Sequence, residues 1–442
     1  MGISNIVFLI VFVAAVAAFT YQVRKIRRNI LLGRDTDRSD RPAERFKTMA
    51  RVALGQSKMV VRPFAGLMHI FIYVGFVIIN IEVLEIIIDG IFGTHRVFAP
   101  LGPAYDFLIA SFEILAVLVL VACVVFLIRR YAGDIRRFRM KELTGWPKTD
   151  AYIILWVEII LMGAFLTMNA ADGALQVRND PHYVQAGSFP VSGLFVPLLA
   201  NFDSSVLIAT ERTAWWAHIV GILLFLNYLP ISKHFHIILA FPNTYFSNLN
   251  DQGKFTNMNR VTDEVKLMMD PDADPYAAPP PAEDNPGVPE KFGAKDVPDL
   301  TWKNLMDAYS CTECGRCTAE CPANITGKKL SPRKIMMDTR DRMEEIGKNI
   351  DKHGKDYDDG KSLLGDYITP EELWACTTCN ACVQACPVNI SPLEIIVDLR
   401  RYLVMEESKS PSELTGMFNN IENNGAPWAF AQADRLKWAE EA

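Results

Sequence analysis

The sequence predicts a mainly α protein, a five-helix transmembrane bundle followed by a smaller helical domain built around cysteines. Three observations carry that expectation. The long apolar runs all fall before residue 250 of the 442. Eight of the nine cysteines fall after residue 310, in two tight groups. Between the halves lies a stretch rich in Pro, Ala, Asp and Glu. The expected domains are 1–250 (membrane), 251–299 (linker), 300–405 (cysteine domain) and 406–442 (tail). The net charge of −6 averages two unlike halves and says nothing about partners.

A bilayer-crossing helix needs about 20 apolar residues, and five segments qualify, near 3–23, 64–88, 107–128, 151–168 and 214–236. Ala15 and Ala17 give the first a look of a signal peptide. No positive charge precedes it, however, and Arg24, Lys25, Arg27 and Arg28 follow it, the reverse of a signal peptide's order. It is expected to remain as an anchor with the N-terminus outside. Basic residues crowd the loop after the first helix (Arg34, Arg38, Arg41, Arg45, Lys47, Arg51, Lys58, Arg62) and the loop after the third (Arg129 to Lys148). The opposite loops hold little beyond Arg96, Arg178 and Arg212. By the positive-inside rule the crowded loops are cytoplasmic, so five crossings of a cell inner membrane leave the cysteines in the cytoplasm. Clustered and in a reducing compartment, they read as metal ligands and not as disulfides. Cys123, alone in an apolar run, reads as a small packing residue. Pro279, Pro280, Pro281 and their acidic neighbours cannot build a core and read as an extended tether.

The first cysteine group is Cys311, Cys314, Cys317 and Cys321, followed by Pro322; the second is Cys376, Cys379, Cys382 and Cys386, followed by Pro387. Both read C-x2-C-x2-C-x3-C-P, the spacing that holds a pair of 4Fe-4S clusters. The short gaps let one loop offer three thiolates to three irons, while the fourth cysteine reaches the other cluster. One cluster is therefore expected on Cys311, Cys314, Cys317 and Cys386, the other on Cys376, Cys379, Cys382 and Cys321. Zinc is a poorer match, because its ligands come in pairs and not as three in one loop with a distant fourth. A helical stretch over 332–345, and a helix start at Thr369 with Pro370 in the first turn, make this a helical two-cluster ferredoxin-like domain.

Of the seven histidines, His69 lies near the cytoplasmic end of the second expected helix, His218 in the outer part of the fifth, and His234 and His236 at its cytoplasmic end. A polar ring inside a bilayer is costly and marks function. His218 and His236 are eighteen residues apart. On a continuous helix that is about five turns, one face, and roughly 27 Å. His234 would be turned from His218 by about 160°. Equal depth makes His69 and His236 candidates to clamp a b-type haem, with room beside Gly66 and Gly75. His218 is a candidate ligand of a second haem, although Ile79 and Asn80 stand where a partner is needed. His234 is a further candidate. The competing reading is that these rings only pair helices. His95 and His182 read as solvated loop residues.

Residues 64–250 resemble the cytochrome b (gamma) subunit of respiratory nitrate reductase and the membrane subunit of heterodisulfide reductase. The likeness rests on Gly66-Leu67-Met68-His69, on Ala217-His218, and on Pro230-Ile231-Ser232-Lys233-His234-Phe235-His236 with Pro242-Asn243 after it. Residues 300–405 resemble the ferredoxin part of the heterodisulfide reductase catalytic subunit. The resemblance implies haem b and menaquinone or another quinone as substrate. Two departures limit it. The second helix carries one histidine where the gamma subunit has two. The reductase's Cys-Cys-Gly repeats are absent, so no catalytic site of that kind is expected here.

The expected function is membrane-bound respiratory electron transfer. It links the quinone pool, one or two b haems, two 4Fe-4S clusters and a cytoplasmic oxidoreductase of the Cys-Cys-Gly reductase or electron-transfer flavoprotein kind. The rival is a haem-free anchor that tethers a cytosolic reductase. Glu113 and Glu158 would carry protons to the quinone or else pair helices. Lys233, Arg62 and Arg129 would meet haem propionates. The basic loops lack interleaved aromatics and are explained by topology, and no phosphate- or dinucleotide-binding motif occurs, which excludes nucleic-acid binding.

Overall fold

The computed structural model describes residues 2–199, 201–272 and 291–440. The described residues are mainly helical and form no sheet. Five helices are long and apolar enough to cross a membrane. They are α1 (Ile3–Ile30), α2 (Pro63–Phe92), α3 (Pro103–Tyr131), α4 (Trp146–Val177) and α5 (Ser204–Tyr228). Proline opens α2 and α3, where a missing N–H leaves no intrahelical bond unmade.

These helices outrun the apolar segments, for two reasons. α1 and α3 continue through Arg27, Arg28, Arg129 and Arg130, because long basic side chains at a helix C-terminus suit its dipole. α4 continues past residue 168 because Asn169, Asp172 and Gln176 are buried there among polar partners.

The fifth crossing corrects the expectation. The helix starts at Ser204 and not near 214, which places His218 past its middle and not in its outer part. It also ends early. After the tight turn Leu229–Ile231 the backbone is extended at Ser232 (φ −118°, ψ 151°). Pro230 has no N–H to continue the helix. Asp150 on α4 holds the break, accepting from Ser232 Oγ (2.7 Å), the Lys233 amide (3.1 Å) and Tyr228 Oη (2.5 Å). Ser232 Oγ in turn accepts from the His234 amide (3.1 Å). His236 opens a new helix, α6 (His236–Tyr245). His218 and His236 therefore lie on different helices, and the five-turn argument for a shared face fails.

Within the bundle α4 lies along α5, α3 packs on α2 and α4, and α1 on α2 and α5. Phe8, Ile109, Phe112, Phe165 and Ile219 fill the interior, and Cys123 is a buried packing residue among them. Gly75 lies at the crossing of α2 and α3: a Cβ there would stand 2.6 Å from Val119 Cγ2.

The cysteine domain is built on α7 (Trp302–Ser310), α8 (Pro332–His353) and α9 (Pro392–Met405). Thr369 caps the helix Pro370–Trp374 in a reciprocal box with Glu372, as expected. This domain is not a separate body on a tether. Leu229, Phe235 and Leu239 of the membrane half share one core with Cys311, Cys321, Cys386, Ile335 and Leu399. Basic residues of both halves bridge them where the bundle meets the cysteine domain. Arg28 donates to the Gly347 carbonyl (2.9 Å), Arg62 to Glu320 (3.0 Å), and Arg333 to the Arg137 carbonyl (2.8 Å).

The linker is shorter than expected. Asn259–Met269 is helical. Pro279, Pro280 and Pro281 lie outside the described residues. Ala294 and Val297 are fully buried, and the Ala294 amide bonds the Asp398 carbonyl (3.0 Å). The chain has thus entered the cysteine domain well before 300.

Candidate metal centres

The two cysteine loops repeat one backbone. Each follows a helix, α7 for the first and Pro370–Trp374 for the second. Two positions after the leading cysteine, Glu313 (φ 54°) and Thr378 (φ 55°) are left-handed. Two further on, so are Gly315 (φ 69°) and Asn380 (φ 61°). Gly315 also lies under Arg333, whose Nη1 would be 2.4 Å from an added Cβ. A short helix then carries the third cysteine of each motif.

The fold brings the fourth cysteine of each loop to the other group. Cys321 lines one small cavity with Cys376, Cys379 and Cys382, walled by Leu330, Leu393 and Ile396. Cys386 lies close enough to Cys314 and Cys317 to interact with them electrostatically. Backbone amides address the sulfurs, Thr378 N to Cys376 Sγ (3.4 Å) and Ile390 N to Cys386 Sγ (3.3 Å). Burial pushes the Cys382 thiol up to about 12 and the Cys386 thiol up to about 11, so bare they stay protonated near neutrality and ionise only against a cation. Among the described residues no three His, Cys, Asp or Glu side chains converge on a single metal ion. Four soft thiolates spread around a cavity suit a polynuclear cluster. Cys379 is exposed, whereas Cys311, Cys321, Cys382 and Cys386 are buried.

His69 and His236 meet where the bundle joins the cysteine domain, with ring centroids 6.5 Å apart and planes at 44°. Two imidazoles on opposite sides of one metal ion, each nitrogen about 2 Å away, have centroids roughly 6 Å apart. His236 Nδ1 lies 3.0 Å from the Lys233 carbonyl. A carbonyl only accepts, so Nδ1 carries the proton and Nε2 keeps its lone pair. His234 joins the group, 5.6 Å from His236 and 5.4 Å from Phe225. Burial pushes the His234 imidazole down to about 3 and lowers that of His236, leaving both neutral. His218 stands apart beside Phe165 (5.9 Å), fully buried, with Nδ1 on the Leu161 carbonyl (2.9 Å) and Nε2 without a partner.

The cations expected at haem propionates are engaged elsewhere. Lys233 pairs with Glu313 of the first cysteine loop, Arg62 with Glu320, and Arg129 covers the Phe64 ring at 5.5 Å. Arg340 holds Glu313 from the other side (2.8 Å). Burial alone would raise the Glu313 carboxyl, but Lys233 and Arg340 beside it hold it below the usual range.

At the far end of the bundle a cavity of about 280 Å3 is lined by Glu82, Glu85, His95, Asp172, Glu211 and Trp215, among others. His95 is not a solvated loop residue: its ring is buried against Tyr183 (5.1 Å) and His182 (5.7 Å). Arg96 donates to Asp172 (2.6 Å), Asn169 (3.1 Å) and Tyr105 Oη (3.1 Å). Glu113 accepts from the Val191 (2.8 Å) and Ser192 (3.1 Å) amides and from Asn169 (3.2 Å). It pins the loop over the bundle and joins α3 to α4 through Asn169, as the helix-pairing alternative expects. Replacing one member of a buried pair strands the other, so Arg96→Leu should destabilise the protein by about 3–5 kcal/mol. Thermal unfolding in detergent, followed by circular dichroism, checks this, and an unchanged Tm would show that the network holds nothing.

Residues 310–390 match the 4Fe-4S dicluster domain family. The chain is 30% identical over 469 residues to a "probable iron-sulfur-binding oxidoreductase FadF" of Bacillus subtilis, covering 99% of this chain and 61% of that protein. It is 26% identical over 441 residues to an "EtfAB:quinone oxidoreductase" of Syntrophomonas wolfei, covering 95% of this chain and 57% of that one. A shorter match, 31% over 161 residues, is to a component of the dihydromethanophenazine:CoB–CoM heterodisulfide reductase of Methanosarcina acetivorans, covering 34% of this chain and 37% of that polypeptide. The chain thus spans 61% and 57% of the lengths of the first two relatives. No solved structure matches it. Its relatives are iron–sulfur oxidoreductases and heterodisulfide reductase components. With the dicluster domain and five apolar helices, they make this a membrane protein of iron–sulfur electron transfer.

Proposed function

We propose that the chain carries electrons between a membrane quinone and a cytoplasmic oxidoreductase, using one b haem on His69 and His236 and two 4Fe-4S clusters. One cluster is assigned to Cys311, Cys314, Cys317 and Cys386, the other to Cys376, Cys379, Cys382 and Cys321. The observation that carries this reading is a placement: the His69–His236 pair, at 6.5 Å, lies at the end of the bundle that shares a core with Cys311 and Cys386. When bound, the haem and clusters supply one-electron chemistry.

The chain's own part is to hold and orient. The Lys233 carbonyl fixes the His236 tautomer. Lys233 and Glu313 lock the histidine segment to the first cysteine loop. Exposed Cys379 leaves the second loop as the face that a soluble partner reaches. The basic loops at the cysteine end favour a cytoplasmic cysteine domain and an outside N-terminus. The name of the Syntrophomonas wolfei relative supports quinone as the membrane substrate and an electron-transfer flavoprotein as the partner.

Purified protein should contain about eight iron and eight acid-labile sulfide per chain. Zinc, or half that iron in fully loaded protein, would sink the two-cluster assignment. A dithionite-reduced minus oxidised spectrum should show a b-type α-band. Its absence would favour the haem-free anchor instead.

A further inference from the structure

Each assigned cluster site has a cation on the carbonyl of one of its ligand cysteines, both of them cysteines of the second motif, and the two cations come from different halves of the chain. At the second loop it is Arg400 of α9. Its guanidinium donates to the Cys376 carbonyl (2.5 Å) and the Leu373 carbonyl (3.0 Å) and covers the Trp374 ring at 4.9 Å. At the first site it is Lys58, from the membrane half, on the loop before α2. Its Nζ donates to the Cys386 carbonyl (3.1 Å). Arg316, in the first cysteine loop, returns the contact by donating to the Lys58 carbonyl (2.9 Å) and the Met59 carbonyl (3.5 Å). Gly66, one turn before His69, is pressed on the same strap: a Cβ there would stand 2.7 Å from Met59 O. Two cations, Lys58 and Arg316, thus adjoin the Cys386 site, against Arg400 at the Cys376 site. Glu313, an acid of the first loop, is already paired with Lys233 and Arg340.

A fixed positive charge in a partly desolvated site favours the state with the extra electron, and so raises a cluster's reduction potential. We propose that Lys58, with Arg316, poises the cluster nearer the membrane above the one beside Arg400. The membrane half thereby biases transfer one way: electrons leave a reduced cytoplasmic oxidoreductase, enter at the exposed second loop and are drawn toward the quinone. Lys58 is a positioning residue that acts through Cys386. The inference rests on the reading that the eight cysteines hold two clusters.

Redox titration of the detergent-purified full chain, followed by EPR, tests it. In the unaltered protein the cluster perturbed by Cys386→Ser should have the higher midpoint. Lys58→Met should lower that midpoint alone, by at least the roughly 59 mV that equals a tenfold change in a one-electron equilibrium. Lys58→Arg should restore most of it, and Arg400→Gln should lower the other midpoint alone. Iron content separates a shifted potential from a lost cluster. If Lys58→Met loses the cluster, the order of midpoints in the unaltered protein still decides. The proposal is overturned if the Cys386-sensitive cluster has the lower potential, or if Lys58→Met with full iron leaves it unmoved. Zinc or a single cluster in the unaltered protein would instead overturn the function reading beneath it.

Discussion

Purified Cys321→Ser should lose the cluster of the second loop and keep the one beside its own sequence neighbours. Cys321 caps the short helix Pro322–Ile325 and lines the cavity of Cys376, Cys379 and Cys382. A serine there leaves three thiolates and one hard, protonated oxygen, and soft thiolates are what an iron–sulfur cluster selects. Iron should fall from about eight toward about four per chain. The EPR signal that survives should be the one that Cys386→Ser removes. Should Cys321→Ser erase the signal that Cys311→Ser erases, the crossed sets are wrong.

The cysteine pattern was legible because a metal cluster fixes ligand spacing locally, and sequence records local spacing well. Thr369 and Pro370 announced their helix for the same reason. The five crossings were legible from length and composition, but their ends were not. Apolar residues lie on both sides of a backbone that is extended at Ser232, and a hydropathy reading that carries the helix to His236 does not register that break. The available signal was Pro230, and what completes the break, Asp150, sits far off in the chain on α4. The far cavity was missed because its members come from α1, α2, α4, α5 and the loops between them. His95 and Arg96 look like loop residues until Asp172 and Asn169 are known to face them. Asn169 and Asp172 at the end of an apolar helix were the one hint, since polar groups at that depth need partners. Lys58 read as a topology marker, and nothing local foretells its contact with Cys386.

His69→Ala should abolish the b-haem band. The two rings face each other from different segments, His69 on α2 and His236 at the start of α6, with centroids 6.5 Å apart. Removing the His69 imidazole would take away one of the two side chains that would hold the haem and would leave a void beside His236. Loss of the site is therefore expected, not a tuned spectrum. His236→Ala should do the same. His234→Ala should keep the band, because the ring that His69 faces is His236, while His234 lies in the turn Lys233–Phe235 whose start Ser232 caps. His353→Ala, at the end of α8 against Tyr357, should change nothing. His218→Ala decides the haem count. Its Nδ1 is committed to Leu161 and its Nε2 is buried and unpartnered, the tautomer that a metal ligand needs. Haem content lowered by about half would establish a second haem, whereas an unchanged content makes this a one-haem protein and His218 a packing residue. Pyridine haemochrome measurements on folded, iron-replete protein read all five variants, and normal haem in His69→Ala would remove His69 as a ligand.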